Sequence, residues 1–410
     1  MMKSKPLLII IILCSVHVFE LYYNLGEVFY FVLDAIGFAT IFLGIYLRNN
    51  YIRPKFQLFR RPLIVLYVAL FVSVISCYYF HGQGVISTII AMRYLFYLTI
   101  YFLLTKLKLE KQWLEKMIIV GAGIYLLVFI TQVLIFPIEI VDVGRIKHTD
   151  RGLLRFRIEG VGFLMLAAFL CLNRFLINRK LLYAIFYGIC LGGLFMLGFR
   201  TLLLTALFSS YVLLLRLSGN PWAVFRNNLL IFIFLIGLYS IPYVNAFVDE
   251  AVEMTFEQAD MYEDYIRFRT FDFLYNEVNI DNYTLVLGNG FPQEDSEYGK
   301  FVKGVGVEQN GFIFQDLGLI GFGIIYGVLS LLAYLFIAFK AIFIKTKKED
   351  LYLSCYFIYL VTSSITTTEI YRIGIFGVIA LALYLIDLSA IDLRLMQRKK
   401  DLTRQFLNQK

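Results

Sequence analysis

A chain of 410 residues that is 60% hydrophobic and only 17% charged, with a mean hydropathy of +0.74, falls well short of the roughly 25% charged residues of a soluble domain. The composition excludes an ordinary soluble fold and points to an all-α polytopic membrane protein. The formal charge of +8 would suit a nucleic acid, but Lys and Arg sit in short runs between apolar segments, where they set topology, so no nucleic-acid partner is expected. Cys14, Cys77, Cys171, Cys190 and Cys355 all fall inside apolar runs and read as small hydrophobes without disulfides. His17, His81 and His148 are too scattered to hold zinc, and no metal or other cofactor is expected.

Lys3 and Lys5 precede an apolar run from Leu7, and Phe19-Glu20-Leu21-Tyr22 lacks the small residues of a signal-peptide cleavage site. A retained first helix is therefore expected. Stretches of about 20 apolar residues, long enough to span a bilayer, follow at 6–24, 27–47, 62–80, 84–105, 115–136, 153–174, 181–198, 200–217, 228–247, 311–340, 350–368 and 371–389, predicting about twelve transmembrane helices. Alternate connections are basic: Arg48 to Arg61, Lys106 to Lys116, Arg174 to Lys180, Arg216 with Arg226, Lys340 to Lys348, and the tail from Arg394. Positive residues are retained in the cytoplasm, so both termini are predicted to be cytoplasmic. The chain then divides into helices 1–9 over residues 1–247, an external loop subdomain over 248–310, helices 10–12 over 311–389 and a basic tail over 390–410. The outer loops after helices 1, 3 and 11 are expected to be very short. The external loop is acidic and predicted to be partly helical over Val248–Glu277.

The stretch Gly288–Gly323 starts as a polar loop punctuated by Gly and Pro and ends in an apolar helix, so its polar residues are expected at the water–lipid boundary. Charges within spans are costly, roughly 2.5–3.5 kcal/mol at a helix centre. Asp34 and Arg93 either pair with each other or leave Arg93 to meet a lipid phosphate. Arginines on the outer side run against the topology bias: Arg145, Arg151, Arg155 and Arg157, then Arg200 between two spans, then Arg267 and Arg269. Guanidinium forks match phosphate oxygens bidentately, which suggests a pyrophosphate guest. For Arg267 and Arg269, neutralising the neighbouring acids is the structural alternative.

R-F-R-I-E-G at 155–160, G-F-R-T-L-L-L-T at 198–205, and a loop that closes with G-N-G-F and re-enters as Q-N-G-F-I-F-Q-D-L-G-L-I-G together resemble the O-antigen polymerase and ligase superfamily. The resemblance covers about Arg155 to Gly327. It implies a GT-C-like membrane glycosyltransferase of the bacterial cytoplasmic membrane, which moves a glycan from a polyprenyl-pyrophosphate carrier to an acceptor sugar on the outer face, without a metal. It also implies a chain-length regulator and a flippase as partners. Carried over, Arg155 or Arg157, Arg200, and Arg267 or Arg269 correspond to the pyrophosphate-binding arginines. The ligases have a His-Asn pair before the re-entering helix where this chain reads Glu308-Gln309-Asn310, a departure that favours a polymerase of surface-polysaccharide repeat units over a ligase. A transporter of lipid-linked oligosaccharides is the alternative from another class. A base for the acceptor hydroxyl is expected at Glu308 or Asp316, with Gln309 and Asn310 orienting the acceptor. Asp316 has the alternative of bonding a neighbouring helix. If the re-entering helix begins at Glu308, both carboxylates share one face about 12 Å apart, and partial burial would raise the pKa of Glu308.

Overall fold

The computed structural model describes residues 4–21, 26–46, 57–141, 147–148, 154–156, 158–218, 266–312 and 317–408, together with residues 220, 222, 225 and 226. It is a helical bundle. The chain runs through α1 (Ser4–Ser15), α2 (Gly26–Tyr46), α3 (Arg60–His81), α4 (Val85–Ala91), α5 (Ile100–Leu107), α6 (Lys111–Ile135), α7 (Val161–Asn178), α8 (Leu181–Met196) and α9 (Arg200–Ser218). Beyond these lie the short α10 (Ile266–Phe273), α11 (Asn282–Leu287) and α12 (Glu297–Phe301), then α13 (Gly318–Tyr326), α14 (Val328–Phe343), α15 (Leu351–Ser363) and α16 (Ile375–Asn408). The one β-type pairing among the described residues is two residues long, with Lys147 opposite Arg155 and His148 opposite Leu154.

Two helices form the centre. Every residue from Val161 to Asn173 on α7 is buried, and α16 is apolar and buried from Ile375 to Ile386. A helix that is hydrophobic all round is buried in protein or in lipid, and here α1, α5, α6, α8, α9 and α15 pack against these two. Their outward faces are apolar as well: on α3, Val65, Val68 and Phe71 are each more than half exposed. A surface of that kind is stable against lipid, not water.

Six described helices are long and apolar enough to cross a membrane, and α4 with the following Arg93–Leu107 segment makes a seventh if that pair, bent by 69°, counts as one span. Lys5–Ser15, Leu181–Met196 and Val328–Phe343 are apolar but shorter. The described residues thus account for fewer than the twelve expected spans; the span expected at 228–247 lies outside them, as do residues 248–265 of the loop subdomain. The long span expected at 311–340 is two helices separated by Gly327. The expected short loop after helix 11 is also corrected: α15 stops at Ser363 and α16 starts at Ile375. The intervening Ser/Thr run turns its hydroxyls back on the chain, Thr367 to Ser363 O and Ser364 Oγ to the Ile370 N–H, a competition with helix that such residues favour.

The connections sort to the two ends as the alternation of basic loops requires. At one end Arg174 bonds Glu115 at 2.6 Å, Lys111 pairs with Asp350, and Lys347 bonds Asp392 at 2.8 Å. Lys340 donates to Leu58 O there. At the opposite end Glu20 accepts from the Glu159 N–H, and His81 meets Asn289.

At that opposite end the G-N-G-F motif works as a strap. A helix interrupted inside a membrane strands backbone carbonyls, which must be satisfied by protein. Gly327, at φ 88° and ψ 151°, interrupts α13 and α14, and the stranded carbonyls are answered from the strap. Asn289 donates its side-chain amide to Ile324 O at 2.9 Å, and Gly290 N–H donates to Ile325 O at 2.8 Å. The approach requires glycine on both sides, since a Cβ on Gly327 would lie 2.6 Å from Gly288 N. Gln83, buried after α3, ties the strap down by bonding Phe291 O, the Gln293 N–H and Ser296 Oγ.

Candidate functional site

The end of the bundle that carries the strap holds two unusual features. The first is a left-handed turn after α1, in which His17, Val18, Phe19 and Glu20 have φ of 45°, 52°, 58° and 55°. L-residues visit this region singly, at roughly 1–2 kcal/mol each, so four in succession need strong support. Support comes from both sides. His17 bonds Asp34 at 3.2 Å and stacks on Tyr30, while Glu20 accepts the Glu159 N–H at 2.8 Å. Phe19 packs against Gly160, where a side chain would collide with its ring.

Glu159 is next to last in the R-F-R-I-E-G motif, just before α7, and Gly374 lets the chain pass directly over its carboxylate. Glu369 and Arg372 reach the same place from the segment between α15 and α16. Burial alone would lower the Arg372 pKa, but the carboxylates of Glu159, Glu369 and Glu20 raise it above the ordinary value. Its Nη1 is buried without a hydrogen bond among the described residues, a costly state for a guanidinium donor that a water or ligand oxygen would relieve. None of Glu20, Glu159, Glu369 and Arg372 was singled out from the sequence. The available signal was a pair of charges, Glu369 and Arg372, following a Ser/Thr run between two apolar spans.

The second feature is a cavity of about 520 Å³ formed by α10, the segment after it and the turn before Phe312. Both flanking segments are π-helical, Leu274–Val278 and Val302–Gln309. Such widened turns are rare and concentrate at functional sites. Phe273 and Phe312, 5.5 Å apart, make a buried apolar floor, and Gly306 gives Phe273 its room. Phe268 and Phe271 stand at the rim, 43% and 37% exposed. The polar lining is Arg269, Asp272, Glu277 and Asn310. Arg269 lies over the Phe312 ring, 5.5 Å from its centroid, and Asn310 donates to Val305 O at 2.8 Å.

The structure thus brings together two of the sequence-expected residues, Arg269 and Asn310, with two carboxylates, Asp272 and Glu277, that the acidic sequence of the loop does not single out. Arg267 is half-buried on α10, two residues from Arg269 and so on a different face of that helix. Glu308 and Gln309 are exposed on the π-helical segment that lines the cavity. That segment ends at Gly311 (φ +68°), where Gly311 N–H bonds Val307 O and Phe312 N–H bonds Gly306 O. A glycine in the left-handed region terminates a helix, so the re-entering helix does not begin at Glu308, and that carboxylate is exposed where partial burial was expected. Asp316 and Arg157 lie outside the described residues, as do Arg145 and Arg151. Arg155 is seen only as backbone in its short pairing with Lys147. Arg200 opens α9, half-buried, after Gly198 at φ +72°.

Arg93 belongs to the bundle interior. Its Nε donates to Asp34 at 2.7 Å, its Nη1 to Ile90 O at 3.1 Å and its Nη2 to the Tyr94 hydroxyl, with Phe31 and Tyr94 rings each 4.2 Å away. Asp34, 2% exposed, also accepts from Tyr97 at 2.8 Å. Of the two roles expected for this arginine, pairing with Asp34 is the one its donors fulfil. Among the described residues no group of three or more His, Cys, Asp or Glu side chains is arranged to hold a metal. The five cysteines are buried free thiols.

Comparison with models of protein families finds none that matches this chain, and comparison with curated proteins finds no match either.

Proposed function

We propose that the chain is a metal-independent membrane glycosyltransferase that polymerises polyprenyl-pyrophosphate-linked oligosaccharide repeat units into a surface polysaccharide, on the outer face of a bacterial cytoplasmic membrane. The observation that carries this reading is the cavity at the end of the bundle opposite the basic loops, where Arg269 and Asn310 stand with Asp272 and Glu277 among four phenylalanines. Ligand sites are concave, largely apolar and fitted with a few convergent polar groups, and a sugar presents the same mixture of apolar faces and hydroxyl rims. The motif order at 155–160, 198–205 and 288–321 adds the resemblance to O-antigen polymerases.

In the proposed transfer the acceptor hydroxyl forms the new bond to the anomeric carbon as the bond to the carrier pyrophosphate breaks. Charge builds on the leaving phosphate, and fixed guanidinium groups stabilise that charge where water is excluded. Arg200, Arg155 or Arg157, and Arg267 take this role, and the chain-length regulator and flippase are its partners in the membrane. The test is to reconstitute the purified chain in liposomes with the lipid-linked repeat unit extracted from cells that lack it. A ladder of products spaced by one repeat supports the proposal. A single transfer to a lipid acceptor would make it a ligase, movement of the substrate across the bilayer without chemistry would make it a transporter, and either result overturns the polymerase.

A further inference from the structure

We propose that the 520 Å³ cavity is the acceptor subsite, that it takes the end of a glycan whose sugar there is neutral or carries an amino group, and that Asp272 accepts the proton of the attacking hydroxyl. This rests on the reading of the chain as a glycosyltransferase and assigns the two halves of the reaction to different places.

The charge of the cavity separates acceptor from donor. Its lining carries Asp272 and Glu277 against Arg269, an excess of one negative charge that disfavours a pyrophosphate or an acidic sugar. Arg269 is itself engaged with the Phe312 ring, a cation–π arrangement. The aromatic groups suit an uncharged ring instead. Phe271 stacks with Tyr275 at 5.5 Å and 18°, extending a flat apolar surface from the rim along one face of α10 onto the π-helical turn. Sugar C–H faces pack on such a surface while their hydroxyls reach the carboxylates and the Asn310 amide.

Asp272 is the carboxylate built to act. The π-helical turn places Asn276 one turn on, and its amide donates to Asp272 Oδ1 at 2.6 Å. That bond fixes the carboxylate and leaves the other oxygen to accept a proton, the arrangement of an oriented base. Glu277 has no such support among the described residues. In the step itself the acceptor O–H proton passes to Asp272, the oxygen's electron pair forms the bond to the anomeric carbon, and the pair of the breaking bond leaves with the polyprenyl pyrophosphate. The proton is then returned to water.

The experiment uses the liposome assay with extracted lipid-linked repeat unit and compares wild type, Asp272→Asn, Asn276→Ala and Phe271→Ala at equal, monodisperse protein. Asp272→Asn should lower kcat by about 100-fold or more, the range of general-base catalysis, with little change in acceptor KM. Phe271→Ala should raise acceptor KM several-fold and spare kcat. Asn276→Ala should lower kcat less than Asp272→Asn and add nothing to it in the double variant. A wild-type ladder that Asp272→Asn leaves intact overturns the base, and an unchanged acceptor KM in Phe271→Ala overturns the subsite. Mass spectrometry of the extracted repeat gives the substrate class directly: a carboxylate or phosphate on its acceptor-end sugar overturns the neutral or amino assignment. Absence of any ladder from wild type instead sinks the glycosyltransferase reading on which all of this rests.

Discussion

Asn289→Ala should release the strap from the broken helix. Asn289 is 0% exposed, its amide nitrogen reaches Ile324 O at 2.9 Å, and its carbonyl oxygen meets His81 Nε2 at 2.8 Å. Alanine removes these and the 3.4 Å bond from the same amide to Asn279 Oδ1, and leaves Ile324 O with the longer 3.4 Å contact from the Asn289 backbone N–H. A hydrogen bond is worth about 1 kcal/mol net, and a buried group left unsatisfied costs about 1–3 kcal/mol, so the loss should be roughly 2–4 kcal/mol. His81 is partly exposed and water can serve it, so His81→Ala should cost less than Asn289→Ala. Reversible unfolding in mixed micelles of a mild detergent and dodecyl sulfate measures each variant and the double variant. Because the two side chains share one bond, their effects should couple by about 0.5–1.5 kcal/mol. Costs that add within about 0.3–0.5 kcal/mol, the tolerance for independent sites, would refute the strap as a bonded unit.

Arg93→Ala strands the Asp34 carboxylate inside the bundle and should cost about 3–5 kcal/mol. Adding Asp34→Asn should recover part of that, and a double variant no more stable than Arg93→Ala would contradict the pairing. For topology, Glu297→Cys is the informative site, since Glu297 is exposed whereas Asn289 is buried; a membrane-impermeant thiol reagent should modify it in intact cells, and labelling only after lysis would reverse the orientation. At the basic end, the hydrogen bond with Asp392 raises the Lys347 pKa above its usual 10.5. A raised folded-state pKa contributes stability that is complete below the unfolded value and is lost as pH climbs through the folded one. The stability difference between wild type and Asp392→Asn, under about 1 kcal/mol for so accessible a pair, should therefore be flat at neutral pH and vanish above the lysine range; a difference that persists there would exclude the ammonium as its source.

The apolar helices were legible because they rest on composition. A run of apolar residues long enough to cross lipid has few other stable uses. What composition cannot give is where a helix stops within an apolar run. Gly327 sits in a stretch as hydrophobic as any other, and its break is fixed by Asn289 and Gly290, nearly forty residues earlier in the chain. The left-handed turn at His17–Glu20 has no local signal either. Val18 and Phe19 oppose that conformation, and only the tertiary contacts of His17 with Asp34 and Glu20 with Glu159 account for it.

The same distinction explains which site residues were found. Arginines on the acidic, non-basic side stand out by type and place, as Arg269 did. Its partners did not, because a carboxylate in an acidic loop is indistinguishable from its neighbours until the backbone sorts them. Asp272 is set apart by Asn276 four residues on, whose amide donates to its Oδ1, a bond that the charge of the loop alone does not reveal. Glu308 stands nearest the place of the ligases' histidine and was expected to be partly buried, and the structure leaves its side chain exposed on the segment that Gly311 ends. The cavity is thus assembled from one residue that breaks a rule of topology and several that break none, and the latter acquire their significance from the way α10 and two widened helical turns bring them to line one space of about 520 Å³.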